Sequence, residues 1–509
     1  MLTERSSEAD SLSASREDFH LARFDSAARR LRSALEINGD SPESPLLLAR
    51  VELRRGNPGE TLSLLARYAK NFRTRLAKAE AALLKGVAFA RLGDTESSRA
   101  QFDAARGLVQ PGDVLSAELI YETAAAHWIE RRLGDAAKTI ETLPPALPPD
   151  LELQARILQG AIASASENLH EQGAILLAAL SYVRTIADPN AYLYAMLVTH
   201  IAALAVELPS TELRDAATEQ LPKVAWSDDI GDLHFHALRA VAWRHALEGD
   251  EFNAFRRLKE ALAVTRSPAW RVAALTDRAY LACALGEHRW AAQELRDAHE
   301  LASTIDWSTV AGEEKLALPV LAEMFARRDP SVAINYAATF RNSANNYPRV
   351  LSSRNDRRVL ALESYSLGKV QAELGETEEA RRLLTQAWEI YEHLGIGWRA
   401  ARAALALAEL GDEGWREKAE RSLHPYQRSW LVRKPAAGTD IRAENAPQLD
   451  RLTPAQRAVF DLLMDGRGTA QIAKELNRST FTVRNHIKAI FKVFGVTSRP
   501  ALIVKASQG

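Results

Sequence analysis

The chain has 509 residues, 47% of them hydrophobic, and a single cysteine, Cys283, so it can bury a large core but holds no internal disulfide framework. It carries neither an N-terminal apolar segment of the export type nor a run of about 18 apolar residues, and a cytosolic protein without a membrane span is the expectation. The 65 Lys and Arg nearly balance 66 Asp and Glu, yet unevenly: residues 451–509 hold ten cations against three acids, a net of +7, and the whole-chain value of −1 leaves −8 for residues 1–450.

Residues 1–16, rich in Ser, Glu and Asp, read as a poorly ordered lead-in or the run-up to a first helix. Residues 17–432 contain a repeat. Gly375, Ala380, Leu384 and Ala387 stand at offsets 0, 5, 9 and 12, and Gly286, Ala291, Leu295 and Ala298 repeat them, as do Gly249, Ala254, Leu258 and Ala261. Gly93, Ser98, Phe102 and Ala105 form a weaker copy, and turn-like pairs recur at Gly56, Gly134 and Gly411. The turn glycines at 249 and 286 lie 37 residues apart and those at 375 and 411 lie 36 apart, a little above the roughly 34 of a tetratricopeptide repeat. An antiparallel helix pair needs Gly to turn and Ala where the second helix presses on the first.

The unit from Leu367-Gly368 through Leu374-Gly375 to Ile390 resembles the tetratricopeptide consensus at most marker positions. Residues 150–230 and 305–345 show no placeable period. The expected fold is all-α: a tetratricopeptide-like α-solenoid of about ten or eleven helix pairs, acting as a sensor or interaction domain, followed by a small terminal module. Its groove would take a peptide, protein or small-molecule ligand.

Catalytic chemistry has no candidate constellation. No phosphate-binding G-x-x-x-x-G-K-[ST] occurs, the His residues are scattered singly, and no H-E-x-x-H zinc motif exists, so neither an enzyme nor a cofactor or metal site is expected. Trp128, Trp243, Trp270, Trp290, Trp388, Trp398 and Trp415 sit in apolar helical stretches, where packing between repeat helices is the expected role. Cys283, on an Ala- and Leu-rich stretch, reads as a small buried side chain.

Residues 433–450, with Pro435, Gly438 and Pro447 and no apolar periodicity, read as a linker. The module at 451–509 follows. Thr453 before Pro454 is a strong helix start, and Val459, Leu462 and Leu463 give that helix one apolar face. A short second helix from about Thr469 to Leu476 buries Ile472 and Ala473, and Ser479 caps a third. In the third, Val483, Ile487, Ile490 and Phe494 point at one core, while Arg484, Asn485, Lys488 and Lys492 project to the other side at roughly 100° per residue. A helix half apolar and half cationic suits the major groove, where Arg and Lys pair with guanine edges and Asn with adenine.

From Leu452 to Ala506 the sequence resembles the LuxR-type (GerE-like) helix-turn-helix domain of bacterial transcription regulators. The resemblance rests on Leu452-Thr453-Pro454, Ile472-Ala473, Thr482-Val483-Arg484-Asn485-His486 and Gly495-Val496 with Ser498-Arg499. Gln456, Arg478, Val493 and Phe494 depart from the family pattern. Sigma-factor tails share the first start and the Thr-Val but not the fourth-helix signature.

The resemblance implies that Arg484, Asn485 and Lys488 contact bases, that Thr469, Thr482 and Lys492 contact phosphates, and that a fourth helix with Arg499, Leu502, Ile503 and Ala506 forms a dimer surface. The implied partners are double-stranded DNA, a second copy of the chain on that DNA, and RNA polymerase. A transcription regulator gated by its repeat domain is the expected function. The alternative is a repeat scaffold or sequestering adaptor whose terminal module does not bind DNA.

Overall fold

The computed structural model describes residues 2–37, 41–110, 112–285, 287–310, 313–345, 357–429, 431, 452–464, 467–494, 496 and 502, and no strand occurs among them. Among the described residues, the first twenty-two α-helices pair into eleven antiparallel hairpins. In chain order these are α1 (Leu2–His20) with α2 (Phe24–Ile37), α3 (Glu43–Arg54) with α4 (Pro58–Arg67), α5 (Arg75–Leu92) with α6 (Thr95–Leu108), and α7 (Val114–Ile129) with α8 (Leu133–Ile140). Then come α9 (Pro149–Ala165) with α10 (Leu169–Val183), α11 (Ala191–Glu207) with α12 (Thr211–Gln220), α13 (Gly231–Leu247) with α14 (Glu251–Val264), and α15 (Pro268–Ala284) with α16 (His288–Ser303). The last are α17 (Ala317–Phe325) with α18 (Pro330–Asn345), α19 (Arg357–Glu373) with α20 (Thr377–His393), and α21 (Gly397–Glu409) with α22 (Gly414–Leu423). The chain is all-α and its repeat part is a tetratricopeptide-like solenoid.

The turn chemistry explains the repeat. Gly93 and Gly249 adopt φ of 80° and 79°, a left-handed conformation that glycine takes without steric cost. Each ends a first helix with its own N–H donating back, Gly93 to Ala90 O and Gly249 to Ala246 O, both at 3.1 Å. The Asp that follows caps the second helix: Asp94 accepts from Ser97 N at 3.0 Å and Asp250 from Asn253 N at 3.3 Å. Beyond the turn, Ala254, Leu258 and Ala261 are buried, as are Ala291, Leu295 and Ala298 and the equivalent Ala380, Leu384 and Ala387.

Two expectations need correction. Gly134 is no turn residue: it lies inside α8, and the turn is made by Arg131, at φ 61°. Glu167, at φ 66°, does the same between α9 and α10, so the period fades from the sequence where a non-glycine residue holds the left-handed position. Residues 2–16, expected as a lead-in, belong to α1. Asp18 holds that helix to α2 by accepting from Ser26 Oγ at 2.7 Å and Arg30 Nε at 3.0 Å, while Leu12 and Phe19 pack on the core. The linker at 433–450 lies outside the described residues.

The solenoid coils tightly enough that residues 190 to 205 positions apart meet. Ser227 Oγ donates to Ala22 O at 2.7 Å, Arg357 Nη1 to Glu167 at 2.9 Å and Arg399 Nη2 to Glu207 at 3.0 Å. In the C-terminal half the coil interior is filled. The Arg402 guanidinium lies 4.7 Å from the Tyr280 ring and 4.6 Å from the Tyr365 ring, and it donates to Glu323 at 2.9 Å. Trp243 stacks on Trp398 at 5.7 Å, and Trp388 meets Trp415 at 5.0 Å, so these rings pack against one another. Cys283 is half-buried, and burial pushes its thiol pKa up, away from the reactive thiolate. Among the described residues no helix is long and apolar enough to cross a membrane.

Candidate nucleic-acid interface

The terminal module is built from α23 (Pro454–Met464), α24 (Thr469–Glu475) and α25 (Thr480–Phe494) around a separate core of Val459, Leu463, Ile472, Val483, Ile490 and Phe494. Its caps are those the residues call for. Thr453 N donates to Gln456 Oε1 at 2.9 Å and Gln456 N to Thr453 Oγ1 at 3.3 Å, a reciprocal box in which Gln serves as Glu would. Ser479 Oγ accepts from Thr482 N at 3.0 Å and starts α25. Between α24 and α25 the chain turns at Asn477, φ 50°, a conformation Asn tolerates better than most side chains. Phe494, which departs from the family pattern, stacks on Phe460 at 5.3 Å with ring planes 7° apart, so an aromatic pair fills the space between α23 and α25.

This core decides which way α25 faces. With Val483, Ile490 and Phe494 buried and Ile487 partly so, Arg484, Asn485, Lys488 and Lys492 are all exposed on the other side. Cations elsewhere in the module find acids, Arg457 with Asp461 at 3.3 Å and Arg467 with Glu475 at 3.2 Å. Among the described residues no carboxylate pairs with Arg484, Lys488 or Lys492. These cations are therefore open to phosphates and base edges.

Thr469 and Thr482 are half-buried at the N-terminal turns of α24 and α25, where backbone N–H groups favour an anion. The Thr482 hydroxyl also bonds the Ser479 hydroxyl at 2.8 Å. The dimer residues fare differently. Leu502 is fully buried in the module's own core, because its apolar side chain completes the cluster around Val459 and Ile490 instead of standing on a free face. Arg499, Ile503 and Ala506 lie outside the described residues.

One residue at this face escaped the sequence reading. Phe481 is 71% exposed in the first turn of α25 and precedes Arg484, Asn485 and Lys488 by 3, 4 and 7 positions, so it shares their face. A large ring in water has no packing role, and an apolar side chain on a groove-reading face suits a thymine methyl.

Residues 450–506 match the family described as bacterial regulatory proteins, luxR family (GerE). The spore germination protein GerE of Bacillus subtilis (strain 168) is 43% identical over 54 residues, which are 11% of this chain and 73% of that protein. The crystal structure of the APC/C hetero-tetramer Cut9–Hcn1 is similar at a TM-score of 0.25 and 13% identity, over 81% of this chain and 95% of that one. With its caps, its core and its cationic third helix in place at the matched residues, the chain belongs, through its terminal module, to the luxR family of bacterial regulatory proteins.

Proposed function

We propose that the protein is a transcriptional regulator whose solenoid receives a peptide, protein or small-molecule input and gates the helix-turn-helix reader. The observation that carries this reading is the face of α25: Arg484, Asn485 and Lys488 are exposed at helical spacing while the opposite face closes the module core. Arg484 and Lys488 would read guanine edges and Asn485 adenine, with Thr469, Thr482 and Lys492 on phosphates. The module's net charge of +7 supplies the counterion-release term, and the −8 on residues 1–450 keeps the rest of the chain off the duplex. Two copies on an inverted repeat, paired through Arg499, Ile503 and Ala506, would match the usual symmetry of such operators. Gating then means that the input shifts the population between arrangements that do and do not let two readers span one site. RNA polymerase is the partner through which a bound regulator would act.

The test is a mobility-shift selection with the full chain against a pool of bacterial promoter fragments, at low and at physiological salt. Retardation that weakens steeply with salt and enriches a two-fold symmetric sequence is the expected result. If no fragment is retained at low salt, the chain is a repeat scaffold and the regulator reading is lost.

A further inference from the structure

The solenoid's coil interior differs between its halves. In the C-terminal half Arg402 is only 9% exposed and is closed in by Tyr280, Tyr365 and Glu323. In the N-terminal half the corresponding lining is charged and phenolic, half-buried at Arg50, Arg54, Tyr121, Glu122 and Tyr192 and exposed at Arg91. Arg50 and Arg54 lie one turn apart on α3, Arg91 lies in the last turn of α5, Tyr121 and Glu122 lie on α7, and Tyr192 lies in the first turn of α11. The Arg54 guanidinium sits 4.8 Å from the Tyr192 ring, 138 positions further along the chain, so α3 and α11 meet here, and Arg91 reaches the same place by donating to the carbonyl of Leu53.

Pairing within this space is incomplete. Arg50 is satisfied: it donates to Glu80 at 2.7 Å and to Glu118 at 3.0 Å. Among the described residues Arg91 donates only to the Leu53 carbonyl, Arg54 has only the Tyr192 ring, and neither forms an ion pair with a carboxylate. Glu122 is near enough to be felt by both arginines, yet among the described residues it too forms no ion pair. Arg54 and Arg91 repel each other, and burial raises the Glu122 pKa, so Glu122 offsets them only in part. Arg91 is nonetheless exposed, so a solute can reach the pair.

We infer that Arg54 and Arg91, walled by Tyr121 and Tyr192, hold the carboxylate of the solenoid's effector: a small organic acid or the free C-terminal end of a peptide. Charge selects the class. Two arginines against Glu122 leave room for one negative charge, and a planar carboxylate fits the guanidinium fork, whereas the second charge of a phosphate dianion meets Glu118 and Glu122. The flanking rings accept an aromatic or aliphatic body beside the carboxylate. This assignment rests on the reading of the solenoid as the input domain.

The experiment uses the full chain, treated with phenylglyoxal and mapped by mass spectrometry, with N-acetyl-Ala-Phe as free acid, its C-terminal amide, benzoate and inorganic phosphate as probes. The free acid is expected to protect Arg54 and Arg91 from modification while the amide does not. Benzoate protecting equally well assigns a small organic acid, and benzoate failing beside the peptide acid assigns a peptide end. Equal protection by the amide, stronger protection by phosphate, or no protection by either acid overturns the inference.

By calorimetry Arg54→Gln and Arg91→Gln should each weaken the protecting acid by about tenfold or more. Unchanged affinity in both well-folded variants overturns the assignment, and the protection pattern of the unaltered chain decides should either variant misfold. A mobility shift on the same preparation separates the two readings. DNA retention without carboxylate protection removes the effector site alone, and protection without DNA retention removes the regulator alone.

Discussion

Phe481 and Arg484 lie within one helical turn, and under the proposed function they would divide base reading between apolar contact and hydrogen bonding. Arg484→Ala removes a hydrogen-bonding fork and should cost about 1–3 kcal/mol on the preferred operator, with sequence choice relaxed at one position. Phe481→Ala removes only apolar contact, so about 1 kcal/mol is expected, confined to sites with a thymine at the contacted step. Lys492→Ala should weaken every sequence alike and reduce the salt slope by about one. Binding selections on each variant at two salt concentrations check all three, and a uniform loss for Phe481→Ala would place that ring outside the groove. The exposure of Arg484, Asn485, Lys488 and Lys492 was legible because an apolar stripe at helical spacing leaves the polar residues on the opposite side. Phe481 was not, since an aromatic residue in a helix ordinarily signals core, and only the position of Val483 and Ile490 in the folded module shows that the ring is left outside.

Among elements, the helix hairpin was read wherever glycine made the turn. Gly93, Gly249 and Gly375 all adopt the left-handed conformation that their spacing implied, and their followers Ala254 and Leu384 are buried as expected. The hairpins of α7 with α8 and α9 with α10 were hidden because Arg131 and Glu167 take the same backbone conformation with a side chain attached. A period based on glycine cannot see them. Glycine also serves inside helices, where the reason is contact and not φ. A Cβ built on Gly368 would lie 2.7 Å from Leu384 Cγ, so α19 and α20 can pack at their present distance only without it. Gly368→Ala should therefore destabilise by about 1–3 kcal/mol through overpacking, read from the urea midpoint. Leu384→Ala made in that background should cost less than it does alone, because the added methyl occupies part of the cavity; strictly additive losses would show that the two helices move apart instead.

At the scale of the whole molecule, coiling brings titratable groups into a lining that no single hairpin would bury. His200 on α11 and His236 on α13 are examples. Burial depresses the His200 pKa to about 4, and burial together with Arg239 and His200 depresses that of His236 to about 3. Both imidazoles are therefore neutral in the fold at pH 5, while an unfolded chain with an ordinary value near 6.5 takes up a proton at each. The unfolded state binds more protons over this window, so stability is complete above about pH 6.5 and falls as the pH drops toward 4 for His200 and toward 3 for His236. The urea midpoint of the full chain should thus decrease between pH 7 and pH 5, by more than in the double variant His200→Gln, His236→Gln. Equal slopes for the two proteins would mean that water reaches both rings and that the coil is looser than its turn-to-turn contacts, such as Arg399 with Glu207, imply. The same measurement bears on gating: an effector that tightens the coil would keep these rings dry and raise the low-pH midpoint, whereas one that opens it would lower that midpoint.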